Sequence, residues 1–207
     1  AAEYHTCTLL STGAVKCWGD NSYGQLGDGS TDESHTPVDV SGIDGSTYTA
    51  IRVTAGGNSA CAVLEDGSTY CWGNNDYGQL GDGSVSESST AMDVEGIDGS
   101  SASASEIDAG AKLTCSVLSS GSAACWGRNN YGQLGDGSTD NSSEYVTVSG
   151  IDGITATATE VTTGGYHACA LLDDGAVKCW GRNGYGQLGD TSTDDSEIPV
   201  DVSGIDG

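Results

Sequence analysis

Cys7 to Asp28 reads CTLLSTGAVKCWGDNSYGQLGD, and the stretch returns as Cys61 to Asp82, Cys115 to Asp136 and Cys169 to Asp190. Its tryptophan recurs as Trp18, Trp72, Trp126 and Trp180, each 54 residues after the last, with no insertion to disturb the spacing. A fixed period of this length is the mark of a solenoid or a propeller.

Inside the first copy, His5 to Leu10 and Ala14 to Trp18 are strand-like runs around Ser11-Thr12-Gly13. Two polar residues and a glycine fit a three-residue hairpin loop, a type I turn closed by a left-handed glycine. Pairing outward from that turn sets Leu10 against Ala14, Leu9 against Val15 and Cys7 against Cys17. Alternation puts the cysteines at a non-hydrogen-bonded pair, where Cα atoms come within about 4.5 Å, the short end of disulfide geometry. The same counting pairs Cys61 with Cys71, Cys115 with Cys125 and Cys169 with Cys179. A metal site would bring its Cys or His ligands closer together in sequence than the ten residues found here. Buried free thiols are the remaining reading. Each bridge would close a short loop and stabilise the fold by a little under ~3 kcal/mol.

After the tryptophan, YGQLGD places two glycines around Gln and Leu, which predicts a tight corner tucking tyrosine and leucine into the core. The residues concerned are Tyr23 and Leu26, Tyr77 and Leu80, Tyr131 and Leu134, and Tyr185 and Leu188. Pro37 to Val40 alternates as a half-buried strand, Ser41 to Gly45 reads as a turn, and Tyr48 to Val53 reads as a further strand. Four short strands per period and no helical periodicity predict an all-β chain of propeller-type blades. The repeats divide as 1–45, 46–99, 100–153 and 154–207, the first lacking the inner strand that should precede it. Such a row of blades continues a longer array, polymerises end to end, or closes alone as a small ring.

At these residues the chain resembles the regulator-of-chromosome-condensation repeat family, over essentially its whole length. CWG-x-N-x-YGQLGDG occurs in all four copies, apart from Thr191 where the others have Gly29, Gly83 and Gly137. The resemblance implies a β-propeller, in this family usually of seven blades. The family's founding type is a nuclear exchange factor for a small GTPase that also binds nucleosomes, and other members are secreted, including bacterial inhibitors of β-lactamases. The chain departs from the pattern in its paired cysteines and its four repeats. The family histidine stands at His5 and His167 but gives way to Ser59 and Leu113. The family proline stands at Pro37 and Pro199 but gives way to Ala91 and Tyr145. Function therefore does not follow from the fold alone.

Thirty Asp and Glu against six Lys and Arg give a formal net charge of −24, which argues against nucleic acid as a partner. Leu, Ile, Val and Phe together are too few for an ordinary core, so composition by itself would predict disorder. Apolar residues in register and glycines at turn positions overrule it. No apolar run is long enough for a membrane helix. Paired cysteines place the chain outside the cell or at its surface. The absence of Met at the start and of a signal peptide reads as a mature, trimmed or fragmentary chain.

Acidic residues gather after each corner, with Asp28 and Asp32, Asp136 and Asp140, and Asp190 and Asp194 as weak calcium candidates. Solvated acidic loops explain them better, because the spacing is not that of an EF-hand. Trp18, Tyr23 and their counterparts read as blade packing before they read as a carbohydrate surface. No histidine has a paired nucleophile and no serine lies in a G-x-S-x-G elbow, so no catalytic residue and no cofactor is expected. The expected role is that of a non-enzymatic extracellular repeat protein that assembles with itself or with neighbouring repeats of a longer chain, as a fibre, sheath or surface layer. The rival is a secreted propeller that binds a protein or glycan, and a GTPase exchange factor ranks below both.

Overall fold

The structure, a computed structural model, describes residues 1–205. Asp206 and Gly207, which complete the fourth Ser-Gly-Ile-Asp-Gly segment and the fourth repeat, lie outside it.

Among the described residues every regular element is a strand. The first sheet holds β1 (His5–Leu9), β2 (Ala14–Gly19) and β3 (Ser34–Asp44). The second runs β4 (Ala50–Gly56), β5 (Ser59–Leu64), β6 (Ser68–Gly73) and β7 (Ser88–Asp98). The third runs β8 (Ala104–Ala109), β9 (Leu113–Leu118), β10 (Ser122–Gly127) and β11 (Ser142–Asp152). The fourth runs β12 (Ala158–Thr163), β13 (His167–Leu172), β14 (Val177–Gly181) and β15 (Ser196–Asp201). Each sheet is an antiparallel meander in chain order, the first with three strands and the others with four.

The hairpins follow from their turns. Gly13, Gly67, Gly121 and Gly175 all take left-handed φ, and Leu10 and Ala14 close the first turn through the Leu10 N–H at 2.9 Å. Cys7 then faces Cys17, and each of the four hairpins carries a disulfide across it with Cα atoms 4.0–4.1 Å apart.

The last strand of each of the first three sheets is longer than the alternation of Pro37 to Val40 suggests, whereas β15 ends at Asp201. Ser41 to Asp44 is not a turn but the end of β3, whose register on β2 slips between the Lys16–Asp39 and Ala14–Asp44 pairs. The extra residues bulge, and the bulge turns both Val40 and Ile43 inward. Pro37 and Pro199 sit on outer strands, where the missing N–H breaks no ladder.

The apolar residues form three cores, each lying between two successive sheets rather than within one. Alternation along β5 makes this possible. Ala60, Ala62 and Leu64 pack toward the first sheet with Leu26, Val40 and Ile43. Cys61 and Val63 pack toward the third, with Ile107, Leu118 and Trp126. The third core repeats the scheme between the third and fourth sheets. A thin composition therefore suffices, because the middle blades bury both faces. The first and fourth sheets do not pack on each other as successive sheets do, and the row of blades stays open.

Gly81, with φ of +73°, lies where a Cβ would stand 2.8 Å from the Trp126 indole nitrogen. Gly150 has nearly the same φ, +74°, with nothing within 4 Å. Gly150→Ala thus carries backbone strain alone and should cost about 1 kcal/mol. Gly81→Ala adds a clash in the core and should cost about 3 kcal/mol, read from urea unfolding midpoints. Equal costs for the two would mean that the corner is not held against the indole.

Candidate functional site

The surface that recurs with the chemistry of the repeat is the joint between blades. Trp72 Nε1–H donates to the Gln25 carbonyl at 3.0 Å, Trp126 to Gln79 at 2.9 Å and Trp180 to Gln133 at 3.0 Å. Each of these indoles is fully buried. Each also lies against the second glycine of the preceding YGQLG corner, Gly27, Gly81 or Gly135. The motif therefore reads across blades: the tryptophan of one repeat closes on the corner of the repeat before it.

The corner is rigid for a local reason. Asn21, Asn75, Asn129 and Asn183 are wholly buried, and each accepts through its side-chain oxygen from the leucine N–H five residues on. The amide of Asn21 donates to Asp28 Oδ1 and to the carbonyls of Ser30 and Asp32. One side chain thus ties corner to acidic loop. The leucines, Leu26, Leu80, Leu134 and Leu188, are fully buried as expected.

The tyrosines are not tucked in. Tyr77 and Tyr131 are half-buried, Tyr23 is 36% exposed and Tyr185 is 87% exposed. In the first three blades the next blade's indole packs against the corner beside the leucine, leaving the tyrosine at the surface. Trp18 also departs from the pattern: it is half-buried, and its N–H has no acceptor among the described residues.

Three of the six calcium candidates are engaged by the chain's own serines. Asp28, Asp136 and Asp190 each accept from the N–H and hydroxyl of the serine two residues on. Asp32, Asp140 and Asp194 are exposed. No group of three or more His, Cys, Asp or Glu converges among the described residues.

Inner strands add a second tie that sequence reading missed. Asp108 accepts from Thr54 Oγ1 of the preceding blade at 3.1 Å, and from Thr163 N–H of the following blade at 2.7 Å. Arg52 crosses the same seam, with Nε donating to the Ser105 carbonyl and the guanidinium 2.6 Å from Glu106. Only the period of 54 could have pointed here, since it sets Thr54 and Asp108 at one phase.

The two ends of the row differ. At the far face of the fourth blade, Val161, Cys169, Leu171 and Val177 line a hollow of about 250 Å³. For three of these positions the equivalents in the third blade, Cys115, Val117 and Ala123, are buried in the core shared with the following blade. At the near end His5 is buried, and neither ring nitrogen has a hydrogen-bond partner. Burial, helped by the N-terminal ammonium, pulls its pKa down to about 4.

Two outcomes follow from these end residues. Between pH 6.5 and about 4 the unfolded His5 takes up a proton that the folded one resists. Stability is therefore lost as pH falls through that window, by about 2–3 kcal/mol. His5→Leu, which places here the residue found at Leu113, should flatten that part of the pH curve. Asp44 and Asp98 are held at about 2 by turn N–H groups and act only in more acid solution. Thr191 holds φ of +73° where Gly29, Gly83 and Gly137 stand. Those glycines donate across to Ser89, Ser143 and Glu197 of the next blade. Relieving a β-branched residue of that conformation by Thr191→Gly should raise stability by about 1 kcal/mol, net of the glycine's greater unfolded entropy, in the same urea assay.

Comparison with known proteins agrees with the geometry. The regulator of chromosome condensation (RCC1) repeat matches residues 12–63, 66–117, 120–171 and 174–207. Human E3 ubiquitin-protein ligase HERC2 is 28% identical over 207 residues, all of this chain and 4% of that protein. The ultraviolet-B receptor UVR8 of Arabidopsis thaliana is 32% identical over 208 residues, covering 100% of this chain and 46% of the receptor. Among solved structures, human WBSCR16 superposes with a TM-score of 0.87 at 24% identity, covering 98% of this chain and 52% of its own. Yeast RCC1 (Prp20) superposes with a TM-score of 0.82 at 19% identity, covering 98% and 47%. The chain thus spans about half the length of the propellers it superposes on, or less of its relatives. With four matched repeats, each joined to the next through Trp and YGQLG, the chain belongs to the regulator of chromosome condensation repeat family.

Proposed function

We propose that this chain is a non-enzymatic extracellular repeat scaffold that associates blade on blade. Its two end faces act as the two halves of one joint. The observation that carries the reading is the unequal burial of the four tryptophans. Trp72, Trp126 and Trp180 are fully buried on a preceding corner, whereas Trp18 is half-buried without one. At the other end the Gln187 corner has no indole on it, and the hollow lined by Val161, Cys169, Leu171 and Val177 stays open. An indole brought onto that corner would gain the hydrogen bond and apolar burial that the inner joints already have.

The partner at each end is a further blade of this kind, from a second copy or from neighbouring repeats of a longer chain. Four disulfides support an oxidising compartment. A fibre, sheath or surface layer is the form that repeated head-to-tail contact takes when the rotation does not close.

Light scattering and negative-stain microscopy across a concentration series test this. Association that grows with concentration, and that Trp18→Ala abolishes without loss of folding, is the expected result. A uniform particle of 20.8 kDa at every concentration would remove self-assembly. The intact mass of the protein from its source would then decide whether longer-chain repeats occupy the joint. Should both arms fail, with a lone 20.8 kDa chain at the source, the proposal is wrong.

A further inference from the structure

Six basic residues serve a chain of net charge −24, and the structure spends them in two different ways. Lys16, Arg52 and Lys178 are ion-paired with Asp39, Glu106 and Asp201. Lys112, Arg128 and Arg182 touch no carboxylate among the described residues. They stack on tyrosine instead, and they stack together.

Lys112 Nζ lies 4.7 Å from the centroid of the Tyr77 ring, and Arg128 Cζ lies 5.1 Å from the same ring. Arg128 also lies 5.0 Å from Tyr166, and Arg182 lies 5.7 Å from it. Arg182 stands a further 5.3 Å from Tyr131 and 5.9 Å from Tyr185. Tyr131 and Tyr166 meet edge to face at 5.6 Å. Cation and ring alternate across three blades in one continuous stripe.

Local sequence explains the placement. Lys112 and Tyr166 precede the first hairpin strands β9 and β13, while Arg128 and Arg182 follow the second hairpin strands β10 and β14. Tyr77, Tyr131 and Tyr185 come from the YGQLG corners, which leave them at the surface. All therefore emerge at the end of the hairpins opposite the tight turns, on one face of the row. At the phase of Arg128 and Arg182 the earlier blades carry Asp20 and Asn74, so the basic character belongs to the later blades alone.

We infer that this stripe is a binding site for an acidic polypeptide segment. A guanidinium stacked on an aromatic ring keeps its N–H edge free for a carboxylate, and its orientation is already fixed. The rings also exclude water from one side of each cation, which strengthens the pairing. Arg128 Nε is held by Asn130 Oδ1 at 2.9 Å, leaving its terminal nitrogens to a ligand. Cations that share a ring stand on the order of 10 Å apart at most, and an extended segment repeats same-face side chains every ~7 Å, so successive carboxylates reach successive cations. Half-buried and exposed tyrosines flank the line and offer apolar contact to the backbone between. The remaining surface is acidic and repels such a segment, which confines it to the stripe.

The probe is a short fluorescein-labelled peptide of alternating glutamate and serine, with its glutamine counterpart as control, followed by anisotropy on the intact chain. Saturable binding of the glutamate peptide is expected, weakening about tenfold or more between about 50 and 300 mM salt. Arg128→Gln with Arg182→Gln should lower affinity at least about tenfold, while Lys16→Gln with Lys178→Gln, the same change in net charge, should leave it within about twofold. Tyr185→Ala, at an exposed position, should weaken binding without touching the core. Equal loss in the two double variants would overturn the inference as a net-charge effect. So would equal binding of the glutamine peptide, no binding of the glutamate peptide, or a stripe found buried between two copies of the chain.

Discussion

Every core in this protein depends on one contact, the indole N–H of one blade donating to the corner carbonyl of the blade before. It fixes the distance and the rotation between sheets at once, because the donor is rigid and its acceptor sits in a loop locked by a buried asparagine. The glycine beside that carbonyl is required on two counts, a positive φ and the absence of a Cβ against the ring. Once the indole is seated, alternation along the hairpin strands sends cysteine and valine one way and alanine and leucine the other. Two thin layers then make a core between sheets.

The disulfides act inside a blade, not between blades. Each staples two adjacent strands whose register the turn already sets, so its contribution lies in restricting the unfolded hairpin. The joints, by contrast, are held by burial, one indole hydrogen bond each and the Asp108 and Arg52 ties near the axis. Covalent and non-covalent stabilisation are thus divided by scale. Within a blade the two hairpin strands are joined covalently, whereas adjacent blades are held by non-covalent contacts.

Because the blades are held alike but decorated differently, one face can carry chemistry that the average composition hides. The paired cations Lys16, Arg52 and Lys178 neutralise neighbours on their own or an adjacent sheet. Lys112, Arg128 and Arg182 are set among tyrosines that the packing expelled from the interior. An acidic repeat protein thereby gains a local basic surface without changing its net charge.

The sequence alone determined what closes within a few residues. The period, the hairpin turns, the facing cysteines and the strand missing from the first sheet could all be counted off, because each rests on local turn geometry and strict alternation. Family membership was legible for the same reason, since WG and YGQLGD recur intact. What only the tertiary structure decided lies between repeats. Tyr23 reads as a core partner of leucine, yet the next blade's indole packs at that corner and the ring stays 36% exposed, while Tyr185, at the end of the row, is 87% exposed. The end of β3 read as a turn, yet a bulge keeps it paired and turns Ile43 inward. Tyr77, Arg128 and Tyr166 share no sequence motif. Their meeting depends on how far each blade is rotated on the last, and that angle is set by the buried indole joint, which no spacing within one repeat contains.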